Sequence, residues 1–189
     1  MTKTTSSELI LIRHGATDRP GHLCGRTDVG LKDVTALPDY SDLEDVEGVW
    51  VSPARRARDT AQGLWPGRSF NEDARLWEQD FGDWDGLPYA DVPDVGALEN
   101  FELAELAGPG GESFSQVVAR VAPALIELAA QDRRVAVVAH AGVIRAALAL
   151  ATLDVAGALA FEIDHLSVTR LRGLGGTQFS VISVNGVLT

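Results

Sequence analysis

Three short apolar runs punctuate the chain, and each stops abruptly at polar or cationic residues. Leu9-Ile10-Leu11-Ile12 gives way to Arg13-His14-Gly15, Gly48-Val49-Trp50-Val51 to Ser52-Pro53 ahead of Arg55-Arg56, and Val135-Ala136-Val137-Val138-Ala139 to His140-Ala141-Gly142. Such runs, rich in β-branched types and lacking polar alternation, predict strands covered on both faces, as in a parallel sheet. Helical spacing lies between them. Ser52 as N-cap and Pro53 as first helical residue predict a helix carrying Ala54, Ala57, Ala61 and Leu64. Ser113-Phe114-Ser115-Gln116 matches a capping box, followed by an apolar face at Val117, Val118, Val121, Leu125, Ile126 and Leu128. A third helix is expected over Val143 to Leu153.

The stretch 71–111 breaks the pattern, being rich in Asp, Glu, Gly, Pro and Trp with weak periodicity only near Ala97 to Leu106. It reads as an insertion over one end of the sheet, within a single domain spanning 1–189. Leu166 to Leu171 and Phe179 to Val184, around Gly173-Leu174-Gly175-Gly176-Thr177, predict a closing hairpin. Strands alternating with helices make the expected fold class α/β, a three-layer sandwich with a mostly parallel sheet flanked by helices.

Composition narrows the function. The 189 residues are 46% apolar and 23% charged, ordinary values for a globular chain, and disorder is excluded on that basis. A net charge of −11 repels a phosphate backbone, so nucleic acid is not an expected partner. A single cysteine, Cys24, cannot pair within the chain, the polar start Met1 to Glu8 lacks the apolar core of a signal peptide, and no uncharged run is long enough to span a bilayer. No membrane association and a cytoplasmic location are expected. Fourteen of the sixteen basic residues are Arg, which suits planar recognition of phosphate or carboxylate.

In a parallel α/β sheet ligands bind beyond the carboxyl ends of the strands, beside helix N-termini. Taken singly, a His after a strand is usually a cap or core residue, and an Arg in a first helical turn is usually solvated. Convergence of Arg13, His14, Arg56 and His140 at one sheet edge is different, because uncompensated cations there need an anion. The ligand this implies is a phosphoryl group.

Leu11-Ile12-Arg13-His14-Gly15-Ala16-Thr17 resembles the signature of the histidine phosphatase superfamily, the phosphoglycerate-mutase-like proteins. Ser52-Pro53-Ala54-Arg55-Arg56-Ala57-Arg58-Asp59-Thr60-Ala61 is similar to that family's second block, Leu76 to Gly86 to the segment carrying its acid, and Gly110 to Ser113 with Val138 to Arg145 complete the order. The resemblance covers roughly residues 8 to 186. It implies His14 as nucleophile, Glu78 as proton donor and later base, and Arg13, Arg56 and a protonated His140 as holders of the phosphoryl oxygens. It further implies Thr17 as a phosphate contact and Arg26 as a substrate contact. Many members carry an Asn where Pro20 stands.

No cofactor and no metal are expected, since cations stand where a metal would neutralise charge and no His-x-x-x-His spacing occurs. Other phosphatase chemistries fail on spacing. Cys24 is followed six residues later by Gly30 and not Arg, Asp83-Trp84-Asp85 has no apolar strand before it, and Gly110-Gly111-Glu112-Ser113 lacks a P-loop lysine. His22 and His165 have no partner spacing. The expected partner is therefore a small phosphate ester and the reaction its hydrolysis. Cys24-Gly25-Arg26-Thr27-Asp28 with Phe81 to Gly86 most resembles the α-ribazole-phosphate phosphatases of cobalamin assembly. Alternatives within the family are a phosphoglycerate mutase or a sugar-phosphate phosphatase, and from another class a catalytically silent phosphate-binding relative.

Overall fold

Four parallel strands and an antiparallel hairpin form one sheet in the computed structural model, which describes residues 7–33, 37 and 43–187. The polar start expected over Met1 to Glu8 lies, up to residue 6, outside the described residues. Strands β1 (Glu8–Arg13), β2 (Gly48–Val51), β3 (Asn71–Glu72), β4 (Arg134–Ala139), β5 (Val168–Gly175) and β6 (Gln178–Gly186) lie in the order β3-β2-β4-β1-β5-β6. β1, β2 and β3 run parallel to their neighbours up to β4, while β5 and β6 are antiparallel.

Alternation along each central strand divides the core. Leu9, Leu11, Val135, Val137 and Ala139 face α3 (Phe114–Ala129) and α4 (Ala141–Thr152), and Ile10, Ile12, Val49, Val51, Ala136 and Val138 face α1 (Arg55–Leu64). Helices thus cover both faces, giving the expected three-layer α/β sandwich. No helix among the described residues is long and apolar enough to cross a membrane.

Local differences from the sequence reading have identifiable causes. α1 begins at Arg55, with Ala54 as a cap residue that makes no side-chain bond. Ser52 does not cap it, because its hydroxyl lies 2.7 Å from His140 Nε2 and the Ala54 N–H reaches that oxygen only at 3.3 Å. α4 starts two residues earlier than expected, with His140 as its N-cap. The stretch 71–111 does not begin as an insertion: Asn71 and Glu72 form the edge strand β3, which their polar side chains conceal in sequence. Beyond it come turns of 3-10 helix and α2 (Asn100–Glu105), near the expected periodicity. α3 opens with the Ser113–Gln116 capping box, both of its bonds formed.

Pro123 sits inside α3 and is exposed. It removes one interior hydrogen bond and crowds the preceding turn, a cost of about 3 kcal/mol in an ideal helix. Pro123→Ala is therefore expected to raise unfolding stability by about 1–3 kcal/mol, read as a higher urea midpoint. An unchanged or lower midpoint would mean that the helix is already adapted to the proline.

Candidate active site

Register brings the two histidines together. Arg13 pairs with Ala139 across β1 and β4, so the next residues, His14 and His140, leave the sheet side by side. The His14 N–H donates to the Ala139 carbonyl at 3.0 Å, and the two ring centroids are 5.1 Å apart. β2 ends one position short on the other side of β4, which sets Ser52 against His140.

Both rings are buried, His14 at 5% and His140 at 0% exposure. His14 Nδ1 lies 2.7 Å from the Gly15 carbonyl, which can only accept, so Nδ1 carries the proton and Nε2 presents its lone pair. Burial first, then the charge of Arg56, holds both rings well below the usual imidazole range. Two imidazolium rings about 5 Å apart would repel by about 3 kcal/mol at an effective dielectric near 20, which opposes charging both, and burial keeps each neutral in the free pocket. The protonated His140 that the resemblance implies belongs to the phosphoryl-bound site, whereas the free pocket holds a neutral ring. His140 Nδ1 is buried without a hydrogen-bond partner among the described residues, and Nε2 meets the Ser52 hydroxyl.

Arg56 is 1% exposed, yet among the described residues its side-chain hydrogen bonds go only to carbonyls: Thr27 at 3.1 Å, Cys24 at 3.1 Å and Gly25 at 2.8 Å. Arg13 donates to the Ile163 carbonyl at 2.5 Å, and its Nε is buried without a partner among the described residues. Burial lowers the pKa of both guanidinium groups, which nonetheless remain charged. Arg55, by contrast, points outward to Asp59.

The loop that receives Arg56 is itself clamped. Asp85 accepts the N–H groups of Arg26 at 2.6 Å and Thr27 at 3.0 Å, together with the Thr27 hydroxyl. Gly25 passes so close to the next segment that a Cβ there would sit 2.0 Å from the Gln79 carbonyl oxygen. Thr60 on α1 accepts the Gly15 N–H at 3.0 Å, joining the helix of Arg56 to the turn of His14.

Glu78 reaches the site from 71–111. Its Oε1 accepts the Gln79 N–H at 2.9 Å and its Oε2 the Gly142 N–H at 3.3 Å, at the N-terminus of α4 where partial positive charge favours a carboxylate. Gly142 makes room for it, since a Cβ there would lie 2.2 Å from Oε1. Arg120 on α3 pins the segment through the carbonyls of Arg75, Trp77 and Glu78 while pairing with both oxygens of Glu112.

These groups surround a cavity of about 310 Å³ lined by Arg13, His14, Arg56 and Glu78, with Thr17 also on its wall. His140 lies beneath, in contact with His14. Arg26 does not line it. Its head is drawn away to Asp80 at 3.9 Å and Glu112 at 3.7 Å and lies over the Trp77 ring, which gives it a bracing position. His22 and Cys24 are on the wall despite lacking any spacing signal, as are Arg19, Tyr89, Arg145 and His165. The His165 ring is 5.5 Å from His14. Only Arg145 carried a sequence signal, four residues after Ala141 on the α4 face that meets the pocket. Among the described residues, no group of three or more His, Cys, Asp or Glu is placed to hold a metal ion.

Known proteins share this architecture. Glucosyl-3-phosphoglycerate phosphatase of Mycobacterium tuberculosis is 36% identical over 197 residues, covering 93% of this chain and 84% of its own length. The 6-phosphofructo-2-kinase/fructose-2,6-bisphosphatase of Caenorhabditis elegans is 36% identical over 155 residues, 75% of this chain; the match spans 33% of that protein's length. The solved structure of mycobacterial glucosyl-3-phosphoglycerate phosphatase superposes with a TM-score of 0.82 at 32% identity, over 95% of this chain and 99% of that one. The same mycobacterial enzyme has been solved with VO3 and with inorganic phosphate. The profile of the histidine phosphatase superfamily, branch 1, matches residues 9–185, and the chain belongs to that family.

Proposed function

We propose that this protein is a metal-independent phosphomonoesterase that hydrolyses a small sugar- or glycerate-phosphate ester through a phosphohistidine at His14. The observation that carries this reading is the pair of guanidinium groups, Arg56 buried and Arg13 half-buried, whose bonds go to carbonyls and not to carboxylates, facing a neutral His14 whose free lone pair is on Nε2. Cations so arranged keep their charge for a ligand.

In the reaction so proposed, Nε2 attacks phosphorus as the ester P–O bond breaks, and Glu78 gives its proton to the departing oxygen. Water then attacks the phosphohistidine, passes a proton to the Glu78 carboxylate, and releases orthophosphate with His14 restored. Arg13, Arg56 and His140 Nδ1 bear the oxygens throughout, Thr17 adds a contact at the wall, and the arriving dianion offers His140 the counter-charge that the free pocket lacks. Segment 71–111 acts as the cap of a single domain, through Glu78, Phe81 and Tyr89. Tyr89 is 61% exposed at the rim, consistent with access for water and hydrolysis over mutase chemistry.

Substrate class follows the relatives, which act on glycerate and sugar phosphates. The likeness to α-ribazole-phosphate phosphatases rests on loop residues, of which Arg26 lies off the cavity wall, so it is the weaker reading.

Turnover of phosphate monoesters is expected to persist in excess EDTA, to be inhibited by vanadate, and to fall by about 10³-fold or more in His14→Ala. Loss of activity in EDTA with recovery on adding magnesium or zinc would contradict the metal-free reading, and no turnover of any ester would favour a silent phosphate binder. Gly142→Ala is expected to displace Glu78 and to slow alkyl esters about tenfold or more, with a smaller effect on p-nitrophenyl phosphate, whose leaving group needs little proton. Equal losses for both ester types would remove the proton-donor role.

The histidines also set an acid limit on stability. Their folded pKa values are depressed, so the unfolded chain takes up protons first as pH falls below about 6.5. Stability is therefore full above that pH and declines below it, in a window still above the unfolded carboxylate range. A lower urea midpoint at pH 5.5 than at pH 7.5, flattened in His140→Asn, is the expected result. A midpoint that rises on acidification would reverse the assigned sign.

A further inference from the structure

We infer that Ser52 is a positioning residue for the reaction: its hydroxyl donates to Nε2 of His140 and so fixes the ring proton on Nδ1, from which the neutral ring can donate to a phosphoryl oxygen. This rests on the phosphatase reading and specifies how a histidine that the free pocket keeps neutral still presents a donor.

The hydrogens around Ser52 assign the direction of that bond. Ser52 continues the ladder between β2 and β4, its N–H donating to the Val138 carbonyl at 3.0 Å, and at 0% exposure its hydroxyl is out of reach of bulk water. Two groups meet the oxygen: the Ala54 N–H at 3.3 Å, which can only donate, and His140 Nε2 at 2.7 Å. Among the described residues the hydroxyl hydrogen therefore has one acceptor, Nε2. The reverse arrangement would set two N–H donors on the Ser52 oxygen and strand its buried hydrogen, at the cost of an unmade hydrogen bond. A neutral imidazole holds one proton, so an Nε2 that accepts leaves it on Nδ1, the buried ring atom without a partner among the described residues.

The two histidines are then wired in opposite senses. His14 meets an acceptor at Nδ1, the Gly15 carbonyl, and presents a bare Nε2 to phosphorus; His140 meets a donor at Nε2 and presents an Nδ1–H. The strongest charged neighbours of His140 are Arg56, His14, Arg13 and Arg120, all basic, so the ring has little help in taking up a proton before an anion arrives. A bare Nδ1 lone pair would repel the first phosphoryl oxygen to reach it. A carboxylate in place of Ser52 could only accept, which would draw the proton to Nε2 and cancel positive charge in the pocket. A hydroxyl donates to the neutral ring and, by rotating, accepts from Nε2–H once the bound dianion has let the ring charge.

Nitrogen-15 NMR of protein labelled in its histidine rings reads this directly, with His140→Asn assigning the His140 signals. At about pH 7.5 wild-type His140 is expected to show a protonated Nδ1 and an unprotonated Nε2, and inorganic phosphate to move the Nδ1 signal. In Ser52→Ala that single tautomer is expected to give way to a mixture, while His14, held by Gly15, keeps its Nδ1–H pattern and so reports an intact site. kcat/KM is expected to fall about tenfold or more, by similar factors for alkyl and p-nitrophenyl esters, because His140 serves the phosphoryl oxygens and not the leaving group. A wild-type ring protonated on Nε2, alone or together with Nδ1, overturns the assignment before any Ser52 variant is made. An unchanged His140 pattern in Ser52→Ala also overturns it, and a changed pattern with kcat/KM within about twofold of wild type removes the role in the reaction. If no ester is turned over, the phosphatase reading fails by itself and inorganic phosphate decides for Ser52: binding weakened at least about fivefold in Ser52→Ala supports the positioning role, and equal binding overturns it.

Discussion

Buried positive charge answered by carbonyl dipoles, and not by carboxylates, is the constraint on which this site depends. A carboxylate paired directly with Arg56 would cancel its charge; instead the carbonyls of Cys24, Gly25 and Thr27 orient and partly solvate the guanidinium, and the acids it senses, Glu78 foremost, form no ion pair with it among the described residues. Burial first, and then the charge of Arg56, keeps His14 and His140 neutral, which a nucleophile requires. The Arg56 charge thus serves both the affinity for an anion and, after burial, the neutrality of His14. Removing water from those groups is unfavourable, and the binding of a phosphoryl group offsets it.

That arrangement holds only if several chain segments keep fixed positions, and each restraint is short and specific. Strand register sets His14 against His140, Thr60 ties the turn of His14 to the helix of Arg56, and Asp85 fixes the loop whose carbonyls receive Arg56. Arg120, through Glu112 and three carbonyls, holds the segment that delivers Glu78 to the start of α4. Segment 71–111 is therefore braced from α3 and anchored in the sheet through β3.

The sheet and the cationic centre were legible because buried parallel strands leave uninterrupted apolar runs, and their ends leave Arg13, His14 and His140 at fixed offsets from them. Arg56 was legible from its block. Contacts built across the chain were not. Ser52 has the sequence context of a helix cap, yet its hydroxyl meets His140, a pairing visible only once β2 and β4 are neighbours. Arg26 is expected at the substrate from the resemblance of its loop to the family, but Asp80 and Glu112 turn its side chain away. His165 gave no signal, since it enters the pocket only because β5 returns antiparallel beside β1.

Everything proposed for the reaction passes through one atom, Nε2 of His14, left free because Nδ1 is committed to the Gly15 carbonyl. The regiochemistry of the trapped intermediate tests this directly. Wild-type protein quenched in alkali during turnover of a phosphate ester, then digested and analysed by mass spectrometry and phosphorus NMR, is predicted to carry phosphate on His14 at Nε2. Phosphate on Nδ1, on His140, or on no histidine at all while turnover proceeds would contradict the account.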